Sequence, residues 1–155
     1  MEIRLVKQSE LPTLAKMVQE TYRKSFEFFY PKSWIDYTVK RQTPERFLEK
    51  AKTMNFYVAR HKEESIGCAC VGQYNNLDDE CVIVSFCVAH KWQGKGIGKA
   101  LMKMLEQDEV YLRSRRVEVA SSLNALPFYL KNGFVYKNNE MVFDYGSFHL
   151  EKFLR

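Results

Sequence analysis

The chain has 155 residues, 46% of them hydrophobic, 14% aromatic and 28% charged, with a formal net charge of +5 and a pI near 9.0. That composition excludes a disordered segment, and the length fits one domain over residues 1–155 with a core of its own. The positive charge suits an anionic ligand, but basic residues interleaved with acidic ones and the lack of an arginine-rich tail argue against nucleic acid as that ligand.

Met1 to Lys7 lacks the basic and apolar tandem of a secretion signal, and no apolar run reaches the roughly 20 residues of a membrane span. The expectation is therefore a cytoplasmic protein with no membrane partner. Ile3 to Val6 reads as a first strand. Ser9 then offers an N-cap to a helix whose apolar positions are Leu11, Leu14, Ala15, Val18 and Tyr22. A second helical region holds Phe26 to Tyr30 and breaks at Pro31. A fresh start follows, in which Thr43 caps and Pro44 opens a helix over 44–52.

From Phe56 the period changes from helical to alternating. Phe56 to Arg60, a turn at His61 to Ser65, and Ile66 to Tyr74 form a predicted hairpin, and a second turn over Asn75 to Asp79 leads into Cys81 to Val88. That last run is apolar on both faces apart from Ser85, as in a strand buried on both sides of a sheet. Beyond a glycine-rich loop, Ile97, Leu101, Met104 and Leu105 make the apolar stripe of a helix, with Lys95, Lys99 and Lys103 together on another face. Val117 to Ser121 is a further strand, Ala125 to Lys131 a short helix, and Gly133 to Tyr136 and Phe148 to Phe153 closing strands. The fold class is α/β with a mixed sheet.

Cys68, Cys70, Cys81 and Cys87 lie in or beside these strands and read as reduced core thiols. Cys68 and Cys70 share a strand face, but no C-x-x-C pair occurs and His61, His90 and His149 have no ligand spacing, so no metal is expected.

The loop Gln93-Gly94-Lys95-Gly96-Ile97-Gly98 carries the chemistry. A glycine-rich turn between a buried strand and a helix leaves several backbone N–H groups at the positive end of the helix dipole, where phosphate binds, and Lys95 and Lys99 add charge. Gly98-Lys99 is followed by Ala100, so the hydroxyl that a magnesium-binding P-loop needs is missing. The G-x-G-x-x-G dinucleotide spacing is missed by one residue.

What these residues resemble is the GCN5-related N-acetyltransferase (GNAT) superfamily, whose signature is Arg/Gln-x-x-Gly-x-Gly/Ala. Gln93, Gly96 and Gly98 match it, and the stretch from Phe86 to Leu101 looks like the family's motif A. Ser121 to Phe134, with Ala125-x-x-Phe128-Tyr129 ahead of Gly133-Phe134, is similar to its motif B. Recognisable motif covers residues 86–134, and residues 20–55 match nothing specific.

The resemblance implies a mostly antiparallel sheet of about seven strands flanked by helices, splayed between the fourth and fifth, with acetyl-CoA or coenzyme A in the splay. Its pantetheine would pair with Phe86, Cys87 and Val88, and its pyrophosphate would sit on amides from Gln93 or Gly94 through Lys99. Asn124, or failing that Ser122, would approach from the far side with Phe128. Tyr129 stands where the family keeps the acid that protonates the departing thiolate, and an amide near Val88 would hold the oxyanion. The carboxylate that some relatives carry on the fourth strand aligns near Val82, so the base is open. Glu80 is the nearest carboxylate, working through a water chain or else only a solvated turn residue. Cys87 offers a covalent route, against which stands its apolar strand.

The acceptor would enter over the aromatic cluster of Phe29, Tyr30 and Trp34, with Glu27 and Asp36 nearby, as an amine with an apolar body. The reading is thus an N-acetyltransferase that acts on a primary amine of a small molecule or peptide by direct attack in a ternary complex. A homodimer is compatible with it, since similar proteins form them. The alternative is a CoA-binding sensor or interaction domain of the same fold without turnover.

Overall fold

The computed structural model describes residues 1–155. Strand β1 (Glu2–Leu5) is followed by helices α1 (Leu11–Ser25), α2 (Lys32–Lys40) and α3 (Pro44–Thr53), then by strands β2 (Asn55–His61), β3 (Glu64–Tyr74) and β4 (Leu77–Val88). Helices α4 (Ile97–Glu106) and α5 (Glu109–Leu112) lead to β5 (Arg116–Ser121), α6 (Leu126–Lys131), β6 (Val135–Tyr136), β7 (Phe143–Asp144) and β8 (Ser147–Phe153). The sheet runs β1-β2-β3-β4-β5-β8-β6, with β7 added to β8. All its pairings are antiparallel except β4 with β5. The expected class stands, with an eighth strand in the two-residue β7 and with β6 shortened to two residues.

Local chemistry sets the boundaries. Thr43 caps α3 by accepting from the Arg46 N–H at 3.2 Å, and Pro44 occupies the first turn, where its missing donor costs nothing. Ser9 does not cap α1. It lies in a short 3-10 turn over Gln8–Glu10, where the Glu10 carboxylate takes the Lys7 N–H at 2.7 Å instead. Residues 32–40 form a helix that the sequence left unassigned, with Pro31 as its extended N-cap and Ile35 and Val39 buried. Strand β4 begins four residues earlier than Cys81, because Asn75 and Asn76 both adopt positive φ (51° and 59°) and close a two-residue turn. The Lys62–Glu63 turn of the first hairpin is equally tight, so the polar ends of both hairpins are paired strand.

Two clusters cover the sheet. On one face Leu101, Met102 and Leu105 of α4 meet Ile83, Val117, Val119 and Leu150, with Tyr129 and Phe134 closing the end; Met102 is buried where Met104 is only half-buried. On the other face Leu14, Ala15 and Val18 of α1 and Phe47 of α3 pack on Phe56, Val58, Cys68, Cys70 and Cys87. The four thiols are unpaired and buried. No helix is long and apolar enough to cross a membrane.

Candidate active site

The parallel ladder between β4 and β5 has four residue pairs, from Glu80↔Arg116 to Ile83↔Val119. Strand β4 continues to Val88 with β3 as its only partner, so Val84 to Val88 face an opening on the β5 side. The opening starts at a bulge. Cys70 pairs with Val84 and Cys68 with Cys87, which leaves Ser85 and Phe86 both opposite Ala69, and Ser85 takes a left-handed φ of 52°. A non-glycine residue held there costs of order 1 kcal/mol or more and concentrates at functional sites.

At the end of β4 the chain makes one 3-10 turn, His90–Trp92, and enters the glycine loop. The Gln93 side chain donates to the Val88 carbonyl at 2.9 Å and to the Ser25 hydroxyl at 3.2 Å, tying the loop to β4 and to the end of α1. Gly94 and Gly96 have φ of 76° and 86°, and nothing lies within 4 Å of where their Cβ atoms would be. Backbone conformation therefore requires glycine there, not packing. Gly98 is different: a Cβ there would stand 3.2 Å from the Phe128 ring. The first backbone bond of α4 runs from the Ala100 N–H to the Gly96 carbonyl at 3.0 Å, and none of the amides from Gly94 to Lys99 donates to another backbone group. Six N–H groups thus converge at a helix N-terminus, with Lys95 and Lys99 exposed beside them. That arrangement suits a diphosphate.

Across the opening, Tyr129 of α6 is 5% exposed, its ring edge-on to Phe86 at 6.1 Å, to Phe128 at 5.4 Å and to Phe134 at 5.6 Å. Burial, with a smaller contribution from Cys87, raises its phenol pKa, so the group keeps its proton at neutral pH. The Cys87 thiol is pushed up to about 12 by burial, which leaves it a poor nucleophile. The Asn124 side-chain oxygen is buried without a partner one residue before the α6 N-cap, Ala125. It is an acceptor awaiting a donor such as an amide N–H. The row of free amides and this orphaned oxygen on opposite sides of the split fit a ligand that is both a diphosphate and an amide, as coenzyme A is.

Other expected site residues are placed elsewhere. Glu80 receives the Arg116 guanidinium at 2.9 Å and Arg115 at 2.7 Å, one on each oxygen, and lies about 20 Å down the strand from Phe86. The structure does not bring it to Tyr129. Arg116 also binds Glu151 at 2.8 Å and Glu118, while Lys137 reaches Glu118 at 3.2 Å, so three carboxylates meet three cations. Tyr30 and Trp34 stack on each other at 3.8 Å, and the Tyr30 hydroxyl donates to the Gly146 carbonyl at 2.6 Å and accepts from the Leu123 N–H at 2.8 Å. They bind α2 and its approach to the β7–β8 turn and the β5–α6 loop, at the rim of the opening. Phe29 is half-exposed next to them. No group of three or more His, Cys, Asp or Glu stands together as a metal site would require.

Two residues at the opening escaped the sequence reading. Tyr22 of α1 comes beside Cys87, Cys68 and Tyr129, and burial raises its phenol pKa. Lys50 of α3 extends to the bulge and donates to the Ser85 hydroxyl at 2.5 Å. Their helical spacing marks only which face they share, and the sequence carried no signal for what that face meets.

Comparison with known proteins bears on this geometry. The PaiA N-acetyltransferase of Thermoplasma acidophilum, solved in complex with coenzyme A, superposes with a TM-score of 0.83 at 20% identity, covering 98% of each chain. A GCN5-related N-acetyltransferase from Rhodopseudomonas palustris gives 0.80 at 17% identity over 99% of this chain and 95% of that one. An aminoglycoside 6'-N-acetyltransferase complexed with coenzyme A gives 0.67 at 16% identity over 100% and 98%. At such identities the likeness is one of fold. No curated protein sequence matches the chain. The acetyltransferase (GNAT) domain model matches residues 14–150. The chain therefore belongs to the GNAT family of acetyltransferases, whose donor is acetyl-CoA.

Proposed function

We propose that this one domain, acting in the cytoplasm, moves the acetyl group of acetyl-CoA to a primary amine of a small molecule or peptide by direct attack in a ternary complex. The observation that carries the reading is the row of free amides from Gly94 to Lys99 at the mouth of the β4–β5 split. Acetyl-CoA supplies a thioester activated toward amines. The chain's own residues do the rest. The loop amides hold the diphosphate, and Phe86 to Val88 offer an unpaired strand edge to the pantetheine. The Asn124 oxygen accepts a pantetheine N–H.

Tyr129 is protonated at neutral pH at the place where the sulfur leaves, so it is available to the departing thiolate as a donor and not to the amine as a base. A backbone N–H near Val88 stabilises the carbonyl oxygen as it takes up charge. The protonated state of Cys87 favours direct attack over a covalent route.

Calorimetry with coenzyme A and acetyl-CoA, followed by thiol release with a panel of amines, tests the reading. Binding with micromolar affinity and amine-dependent release of coenzyme A are expected. The absence of heat and of a thermal shift at saturating cofactor would end it.

A further inference from the structure

The face of the sheet opposite α4 and α6 is the one an acceptor can reach. Helices α4 and α6 fill the other face, whereas here α1 and α3 leave Val82 and Val84 of central strand β4 only partly buried and Ala120 of β5 exposed. Helix α3 forms one wall of this opening. Phe47 anchors it with its ring 5.4 Å from Phe56, Met54 covers Gly72, and Lys50 between them crosses β3 to reach the Ser85 hydroxyl at the bulge.

Lys50 is unlike the other cations held inside the fold. Arg116 and Arg4 lie against carboxylates, at 2.8 Å from Glu151 and from Glu10 respectively. No carboxylate comes within 4 Å of the Lys50 ammonium, and none pairs with Arg41 or Arg46, whose charges bear on it. Burial lowers the Lys50 pKa against an opposing pull from Cys70 and Cys68, and Arg41 and Arg46 add smaller lowering contributions. A half-desolvated ammonium with two like charges nearby, whose partners are a neutral hydroxyl and the face of the Phe47 ring at 5.8 Å, is a site for an incoming anion.

The far wall has the opposite character. Ala120 is in register with His149 of β8, and the His149 ring bonds to the Asp144 carboxylate of β7 across the opening from Ser85. The opening is therefore cationic at α3 and acidic at the β7–β8 hairpin.

We infer that Lys50, with the Ser85 hydroxyl, binds a carboxylate of the acceptor, so that the substrate is an amine that also carries a carboxylate, an amino acid or short peptide, and not a polyamine. The inference rests on the acetyltransferase reading and narrows it. A polyamine or aminoglycoside would meet Lys50 with like charge at the bulge, with the charges of Arg41 and Arg46 bearing on the same place, on a chain that is already +5.

The test is steady-state acetylation of matched acceptors that differ by one carboxylate: phenylalanine against phenethylamine, lysine against cadaverine, with spermidine alongside. The carboxylate-bearing member of each pair should have a kcat/KM at least about tenfold higher, the worth of one charge-assisted hydrogen bond. Lys50→Met should lower that ratio by about tenfold, mainly through KM, and Lys50→Arg should keep most of it. A wild-type preference for the decarboxylated amines or for spermidine would overturn the inference. So would Lys50→Met slowing both members of a pair alike, which is the mark of a structural lysine. Should Lys50→Met not fold, the wild-type ratios decide by themselves. Failure of wild-type protein to bind coenzyme A strikes the acetyltransferase reading and this inference with it. Intact cofactor binding without a carboxylate preference strikes this inference alone.

Discussion

The two banks of the β4–β5 opening are built from different material. The proposed cofactor bank is mostly main chain: six amides freed by glycine dihedrals, plus an unpaired strand edge, within residues 84–99, with Asn124 added from across the split. The proposed acceptor bank is side chain: Lys50 and His149 come from segments 99 residues apart, and Tyr30 ties the rim to Gly146, 116 residues away. Main-chain recognition is blind to side-chain identity, so it suits a donor that never changes. The side-chain bank can be rewritten without disturbing it.

The contrast should fail most visibly at Tyr129, a side chain on which the cofactor bank depends. Tyr129→Phe is expected to lower kcat by roughly 10²- to 10⁴-fold while calorimetry finds coenzyme A affinity unchanged. An unaltered kcat would remove the phenol from the mechanism.

Gly146→Ala isolates the other bank. Its Cβ would stand 2.5–2.7 Å from the Trp34 indole at a φ of +83°, so a loss of about 3 kcal/mol is expected, or roughly 6–12 °C in Tm, with coenzyme A affinity kept. Thermal melts with and without the cofactor check both halves. At Gly96 the balance should reverse. Gly96→Val forces a β-branched residue into φ near 86° where no neighbour obstructs it, so melting should fall only by the backbone strain of about 1–2 kcal/mol while the loop amides lose their aim. A rise in the coenzyme A Kd of about tenfold is expected by calorimetry.

The smallest effect lies outside both banks. Arg4 bonds both oxygens of Glu10 and holds its carboxyl at about 2, below the usual 4.5. A depressed acid pKa stabilises the fold above pH 4.5, and that contribution fades as pH falls toward 2. After allowance for solvent screening, denaturant titrations should lose about 1–2 kcal/mol between neutrality and pH 2 that Glu10→Gln does not lose.

The cofactor bank was legible because backbone conformation is written locally: Gln93, Gly94, Gly96 and Gly98 fix the turn whatever surrounds them. Asn124 and Tyr129 followed from the same motif pair, though that Asn124 would leave an unpaired oxygen needed the coordinates. Glu80 read as a solvated turn residue or a distant base, because nothing in Asp78-Asp79-Glu80 announces the Asn75–Asn76 turn that draws all three into β4, or the guanidinium 36 residues away. Tyr30 and Trp34 were recognised as an aromatic cluster, but whether such rings line a cavity or hold a hairpin depends on Gly146, which no local pattern connects to them. Lys50 is invisible for the same reason, since its partner lies across two strands.

The charged group around Arg116 lies at the end of the β4–β5 ladder away from the opening, where Glu80 and Arg116 form the first of the four pairs that join the two half-sheets. A wedge driven between strands tends to run on down the seam. Here it would have to separate a guanidinium from carboxylates on three different strands before the seam could part. Substitutions at Arg116 are therefore expected to change how wide the jaw stands before they alter anything in its bite.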